Sequence, residues 1–244
     1  MKNVRRLLIL AACGCTLIAP ASAAAFTVYA ASSLKRAFQQ ITPSPSYSFG
    51  GSDVLAFQIE SGAAADVFAS AAPIYADKLV QKHLCGTPVV FATNTLTLVV
   101  PTANPKQLRS ATDLAKGGLR LAIGGPNVPL GIYTRSLLGR LHLAAALRGN
   151  TVSTYTKASD VTATIALGSA DAGFVYTTDW LANRSKLSRI DVAAAAQPPI
   201  RYVLCTVTRS GVDVAAASSF ARQITSGRGR KILRDNGFGL PPKP

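Results

Sequence analysis

The stretch VYAASSLKRAF, Val28 to Phe38, ends a short apolar run in two serines and then turns helical. A second stretch, YSFGGSDVLAFQIE from Tyr47 to Glu60, repeats the arrangement. Residues 26–31 (FTVYAA) are short and apolar, which reads as a buried strand. Leu34, Ala37, Phe38 and Ile41 then recur at helical spacing, with Ser33 in the N-cap place. In the second unit YSFG is the strand, Ser52 the cap and Gly62 the stop. Residues 65–71 (ADVFASA) give a third strand, followed by a helix that starts on Pro73. This β-α-β-α-β-α rhythm predicts a parallel sheet with helices packed on it.

The rhythm breaks at ATN, residues 92–94. Beyond it, TLTLVVP (95–101) and LRLAIGGP (119–126) read as strands, GIYTRSLLGRL (131–141) as a helix, and DVTATIALGSADAGFVYTTDW (160–180) as helix, turn and strand. IRYVLCTVT (200–208) is a strand, and two helices finish the chain. The expected fold is therefore α/β with two lobes, a hinge and a cleft between them. The boundaries so read are 24–93 plus 206–244 for lobe I and 94–205 for lobe II, after a leader at 1–23.

The leader is read from MKNVRR, a positive start, then the apolar LLILAACGCTLIAP and the small-residue signal ASA at 21–23. LAAC ending at Cys13 resembles a lipoprotein box, but the apolar run continues to Ile18, and soluble export to the periplasm is the reading adopted. Cys13 and Cys15 leave with the leader, and Cys85 and Cys205 remain. Export places them in an oxidising compartment, where they either pair or stay as buried thiols; a Cys85–Cys205 disulfide is expected. The 244-residue chain is 48% hydrophobic and 15% charged, as a folded protein with a real core should be. Lys and Arg number 26 against 11 Asp and Glu, which suits an anionic partner. The basic residues form no long runs and aromatics are few, so nucleic acid is not expected as that partner.

A small anion fits the serines better. In open α/β sheets ligands sit beyond the carboxyl ends of strands. The helices that start there present free N–H groups and the positive end of their dipoles. A serine adds a hydroxyl donor without bulk or charge. Plain N-capping is the competing reading of each serine. GGPNVPLGIY (124–133) is a third such turn, opening a helix near Leu130, and KASDVTATIALG offers a fourth helix start near Ala158. Tyr176 ends the strand in GFVYTTDW, where its phenol either packs or donates across the cleft.

Enzymatic motifs are missing. GGSD is not a nucleophile elbow. His83 and His142 lie far from any serine or cysteine motif. No H-E-x-x-H, C-x-x-C or P-loop occurs in the mature chain. Asp53 and Asp179 flank the expected site without forming a spaced carboxylate pair.

Taken in order, VYAASSL, FGGSDVLAFQIESGAAADVFASA, NTLTLVVP, VPLGIY, GSADAGFVYTTD and GFGLPP resemble the periplasmic molybdate-binding proteins of ABC importers. The resemblance implies a monomeric two-lobed type II periplasmic binding protein, without metal or cofactor. It would hold molybdate, or tungstate, by neutral donors and pass it to a membrane permease. By position the ligand-binding residues it implies are Ser33, Ser52, Leu130, Ala158 and Tyr176, with no catalytic or metal residue. Leu130 stands where an alanine is usual, and a shift of register would replace Ala158 by Val161. Asp53 departs from the pattern: facing the cleft, it would oppose a dianion beside Ser52. The alternative implied by the wider family is a periplasmic isomerase or binder of a small tricarboxylic acid such as aconitate. It would need a titrating group, Asp53 or Tyr176, and cationic partners such as Lys35, Arg36 or Arg135.

Overall fold

The computed structural model describes residues 26–241. The leader, with Cys13 and Cys15, lies outside the described residues. Three βα units open the chain: β1 (Thr27–Ala31), α1 (Lys35–Ile41), β2 (Ser46–Gly50), α2 (Ser52–Glu60), β3 (Val67–Ser70) and α3 (Pro73–Gln81). β1 pairs in parallel with β2 on one side and with β3 on the other. The register sets Ala31 against Gly50 and Ala30 against Ala69, so the three strands finish on one edge. β3 is buried along its whole length, as its uninterrupted VFAS predicts for an interior strand.

β4 (Val89–Asn94) leads to β5 (Leu96–Pro101) across the single residue Thr95. After β5 come β6 (Arg120–Gly124), α4 (Pro129–Arg140), the short α5 (Ala146–Gly149), β7 (Thr151–Tyr155), α6 (Ala158–Ala166), β8 (Gly173–Tyr176), α7 (Thr177–Ala182) and β9 (Leu187–Ile190). β6 and β7 are parallel, with Gly124 opposite Tyr155. β5 lies antiparallel between β8 and β9, and a parallel bridge from Leu121 to Ala172 joins the β6–β7 pair to this group. β10 (Ile200–Thr206), α8 (Val214–Thr225) and α9 (Gly227–Asp235) complete the chain.

Two expectations change here. The first sheet runs β2-β1-β3-β10-β4, and β10 is antiparallel to both its neighbours, so the sheet is mixed. Residues 200–205, assigned above to lobe II, therefore pair in the sheet of the N-terminal βα units. The second crossing lies between Ile190 and Ile200, not beside Cys205. An apolar strand such as YVLC is buried in either sheet, and its partners are chosen by tertiary pairing that local sequence does not encode.

Cys85 and Cys205 form a disulfide with Cα atoms 5.9 Å apart. It ties the segment after α3 to β10, where Cys85 also bridges Val207. α9 and α8 return to pack on α1, as the closing helices of the sequence suggest. Phe220 of α8 meets Phe38 of α1 edge-on at 5.4 Å.

Candidate functional site

The aligned carboxyl ends of β1, β2 and β3 deliver Ser32 and Ser33, Gly51 and Ser52, and Ala71 to one edge of the first sheet. From the second sheet, the ends of β6, β7 and β8 deliver Val128 to Leu130, Ala158 and Tyr176. These residues enclose one small cavity. It contains all five of the side chains or helix starts singled out in the sequence: Ser33, Ser52, Leu130, Ala158 and Tyr176. Val161, the other choice of register, is fully buried in the core.

Neither serine caps its helix. A short 3₁₀ turn over Ser32–Leu34 precedes α1, and no side chain caps it. α2 begins on Ser52 itself, with Gly51 as an N-cap that has no side chain to offer. Side-chain caps occur elsewhere: Asp213 Oδ1 accepts from Ala216 N–H at 2.8 Å, and Ser226 Oγ from Gly229 N–H at 3.0 Å. Capping is thus present where no site lies, and the two site hydroxyls are left to other partners. Ser52 Oγ accepts from Ala71 N–H at 3.1 Å, which leaves its own proton free.

The Ser33 hydroxyl belongs to a buried chain of donors. Asn94 Oδ1 accepts from Thr95 N–H at 2.9 Å, which fixes the amide so that Nδ2 is the donor. That nitrogen donates to Thr178 Oγ1 at 3.0 Å and to the Tyr202 phenol at 3.3 Å. The Tyr202 hydroxyl lies 2.9 Å from Ser33 Oγ. Asn94, Tyr202 and Ser33 thus form one buried hydrogen-bonded chain that holds the Ser33 hydroxyl at the cavity wall. Tyr202 is fully buried and its burial holds the phenol far above its ordinary pKa, so it stays a neutral donor. Neither Asn94 nor Tyr202 carries a local signal: they meet Ser33 only through β4 and β10.

Backbone groups supply the rest. In α4 the first ladder bond runs from Ile132 N–H to Val128 O at 2.9 Å, so the Leu130 amide precedes the ladder. In α2 the first bond runs from Leu55 N–H to Gly51 O at 3.0 Å, leaving the Ser52 amide at the cavity. Leu130 lines the cavity at the start of α4 and is wholly buried. Gly124 and Gly131 allow α4 to start against its own turn: a Cβ on Gly131 would run into the carbonyl oxygens of Gly124 and Gly125.

Tyr176 closes the cavity. Its residue is 1% exposed, yet its hydroxyl has no hydrogen-bond partner among the described residues. Its ring stands edge-on to Tyr202, centroids 5.9 Å apart. Burial drives its pKa well up. An unpartnered buried hydroxyl costs free energy, which an acceptor placed in the cavity would recover.

The cavity is small, about 10 Å³ of free space. No charged side chain is among its lining residues. Asp53 turns away into an outer groove with Phe57, Tyr75 and Asn127, so it does not oppose an anion from within. Burial raises its pKa, and its buried Oδ1 has no hydrogen-bond partner among the described residues. Lys35 and Arg36 line a larger neighbouring cavity of about 430 Å³ that shares Ser32 and Ser33 and also holds Asp179 and Asn236. Arg135 is tied to its own helix start, donating to Gly124 O and Gly131 O at 3.1 and 3.0 Å.

Two α/β units with convergent helix starts around a small uncharged cavity have the fold of the type II solute-binding proteins. The chain belongs to the bacterial extracellular solute-binding protein family, whose sequence pattern matches residues 26–239. It is 36% identical over 229 residues to the molybdate-binding protein ModA of Mycobacterium tuberculosis, spanning 90% of this chain and 86% of that one. The ModA of Haemophilus influenzae is 30% identical over 240 residues, with 89% and 91% covered. The solved periplasmic molybdate-binding protein of Azotobacter vinelandii superposes with a TM-score of 0.78 at 24% identity, covering 88% of this chain and 99% of that one, which is a likeness of fold.

Proposed function

We propose that this protein captures a tetrahedral oxyanion dianion, molybdate first and tungstate as its close analogue, outside the membrane and delivers it to the permease of an ABC importer. The observation that carries the reading is the buried Tyr176 hydroxyl, which has no hydrogen-bond partner among the described residues and belongs to a residue that lines the cavity together with Ser33, Ser52 and the helix starts. The similarity to ModA proteins over nearly the whole chain supports molybdate as the ligand. In this reading Ser33, Ser52 and Tyr176 donate through hydroxyls, and Leu130 and Ala158 through backbone amides. Residues 26–94 with 200–241 form one lobe, residues 95–190 the other, and the ligand sits between them. The protein acts as a monomer, and its leader is removed on export.

The dianion is bound without a counter-charge. Helix N-termini carry partial positive charge, and donors fixed in place lose little on desolvation. Because no carboxylate lines the cavity, an oxyanion that keeps a proton finds no strong acceptor for it. Selection between molybdate and the smaller sulfate then rests on cavity size. A tricarboxylate would need more room and cationic partners, and Lys35, Arg36 and Arg135 are absent from the lining. Burial raises the Tyr176 pKa, so the phenol stays protonated and is not available as a general base.

Calorimetric titration of the purified mature protein with molybdate, tungstate, sulfate, phosphate and aconitate tests the reading. Tight heats for molybdate and tungstate, with weak or no heat for the others, are expected. Binding or conversion of aconitate alone would overturn it.

A further inference from the structure

Tyr75 stands on α3, against the first sheet, while Asn127 lies in the turn between β6 and α4, against the second. The Tyr75 hydroxyl donates to the backbone carbonyl of Asn127. That carbonyl is outside the helical ladder, whose first acceptor is Val128 O. Asn127 adjoins Val128, Pro129 and Leu130, which line the small cavity. On the other side, the groove around Tyr75 is lined by Asp53, whose neighbour Ser52 lines the same cavity. The hydrogen bond thus spans from one wall of the cavity to the other on the outside of the site. A second approach lies near it: a Cβ on Gly51 would run into the Thr156 carbonyl oxygen, so backbone from the two units is packed without room for a methyl group.

We propose that Tyr75 is a positioning residue, a latch that holds the two units closed over the bound anion and so sets how slowly the anion leaves. The inference rests on the binding function proposed above. For the cavity to release a ligand, the walls bearing Ser52 and Leu130 must part, and this bond then breaks. Both groups are half-buried or at the surface, so both return to water, and the bond adds a modest increment to the closed state. The increment acts on opening, after the anion is already held, and therefore appears in the dissociation rate. Burial lifts the Tyr75 phenol to about 12, so it remains a donor across the physiological range and the latch does not titrate there. Tyr75 touches no ligand, since it does not line the cavity.

Stopped-flow kinetics on wild type and Tyr75→Phe, with molybdate as the probe and tryptophan or tyrosine fluorescence as the signal, provides the test. Dissociation should quicken roughly three- to tenfold in Tyr75→Phe, with the association rate within twofold of wild type. Melting of the ligand-free variant should match wild type within about a degree, because the ring still packs. A Tyr75→Trp variant, whose indole N–H is a donor of different reach, should not recover the slow rate. Equal dissociation rates in wild type and Tyr75→Phe would overturn the latch while leaving the binding function intact. If wild type itself binds none of the oxyanions, the proposed function fails first, and the two failures are separate.

Discussion

The hydroxyls of Ser33 and Tyr202 lie 2.9 Å apart, joining a residue at the first turn of the chain to one on its last strand. Their sequence separation is 169 residues, and the bond is buried. Its consequence is positional. Asn94 donates to Tyr202, and Tyr202 and Ser33 share one hydrogen bond that fixes where the Ser33 hydroxyl sits at the cavity wall.

Removing the middle of this chain should weaken binding. In Tyr202→Phe the Ser33 hydroxyl is free to rotate, and Asn94 Nδ2 keeps only Thr178 as a partner. Molybdate affinity is expected to fall about three- to tenfold, the worth of about one ordinary hydrogen bond. Ser33→Ala should cost more, roughly tenfold or above, because a charge-assisted bond is lost. The two losses should not add: in Ser33→Ala the Tyr202 hydroxyl has nothing left to orient. A calorimetric cycle over the four proteins reads this directly, and strict additivity would rule out the relay.

Gly51 should be intolerant of a methyl group for a reason unrelated to its backbone. Its φ of −69° suits any residue. The obstacle is the Thr156 carbonyl oxygen across the seam, with Asp53 Oδ1 only 2.7 Å from the same point. Gly51→Ala is expected to lower molybdate affinity at least tenfold by holding the units apart, and to leave the melting of the ligand-free protein nearly unchanged. Gly50→Ala is the control, since its Cβ would meet only the Leu55 side chain at 3.2 Å within the same unit. Equal binding by Gly51→Ala and wild type would show that the seam opens to make room.

Much of this was readable in advance, and the limit is physical. The β1, β2 and β3 turns are legible because each joins a short apolar run to a helix with its own 3.6-residue period. Pro129 and Gly124 likewise mark the α4 start locally. β7, read TVSTY, and β9, read LSRI, are short and partly exposed, and no alternation distinguishes them from loop. The sheet partner of β10 depends on pairing with strands more than 100 residues distant, as do the contacts of Asn94 and Tyr202 with the site. Local sequence also predicts that Ser33 and Ser52 cap helices. Ser52 opens α2 rather than preceding it, a displacement of one residue that capping propensity cannot resolve. The direction of Asp53 follows from that same displacement: a helical step of about 100° turns it from the cavity that Ser52 faces.

The Cys85–Cys205 bond closes a loop of 120 residues, and neither sulfur lines the cavity. A cross-link over so long a loop restricts the unfolded chain, and about 2–4 kcal/mol of stability is the usual return. Replacing both cysteines with alanine should therefore lower the unfolding free energy in guanidinium by about that amount. Molybdate affinity of the folded variant should stay within twofold of wild type. A large loss of affinity would mean that the bond also sets the angle of β10, and with it the position of Tyr202.

Asp179 should make both stability and binding depend on pH. As a residue it is partly exposed, but its Oδ2 is buried and has no hydrogen-bond partner among the described residues. Burial pushes its pKa up to about 7. Tyr176 and Tyr202 both feel its charge, and Lys35 and Arg36 line the same outer cavity. In the unfolded chain the group titrates at about 3.9. Between these values the folded state holds a proton that the unfolded state has released. The contribution to stability is therefore complete below about pH 4, declines as pH rises, and is gone above about pH 7. Asp179→Asn should flatten the melting temperature over that window, measured by scanning calorimetry from pH 5 to 8. The ligand adds a second effect of the same sign. A dianion beside Tyr176 disfavours a carboxylate nearby, so binding near pH 7 should draw a proton onto Asp179, and affinity should fall as pH rises. Titrations in two buffers of different ionisation heat should give different apparent enthalpies for wild type and equal ones for Asp179→Asn. Equal enthalpies for wild type would mean that Asp179 keeps one protonation state throughout, and that the Oδ2 atom meets the anion's charge unchanged.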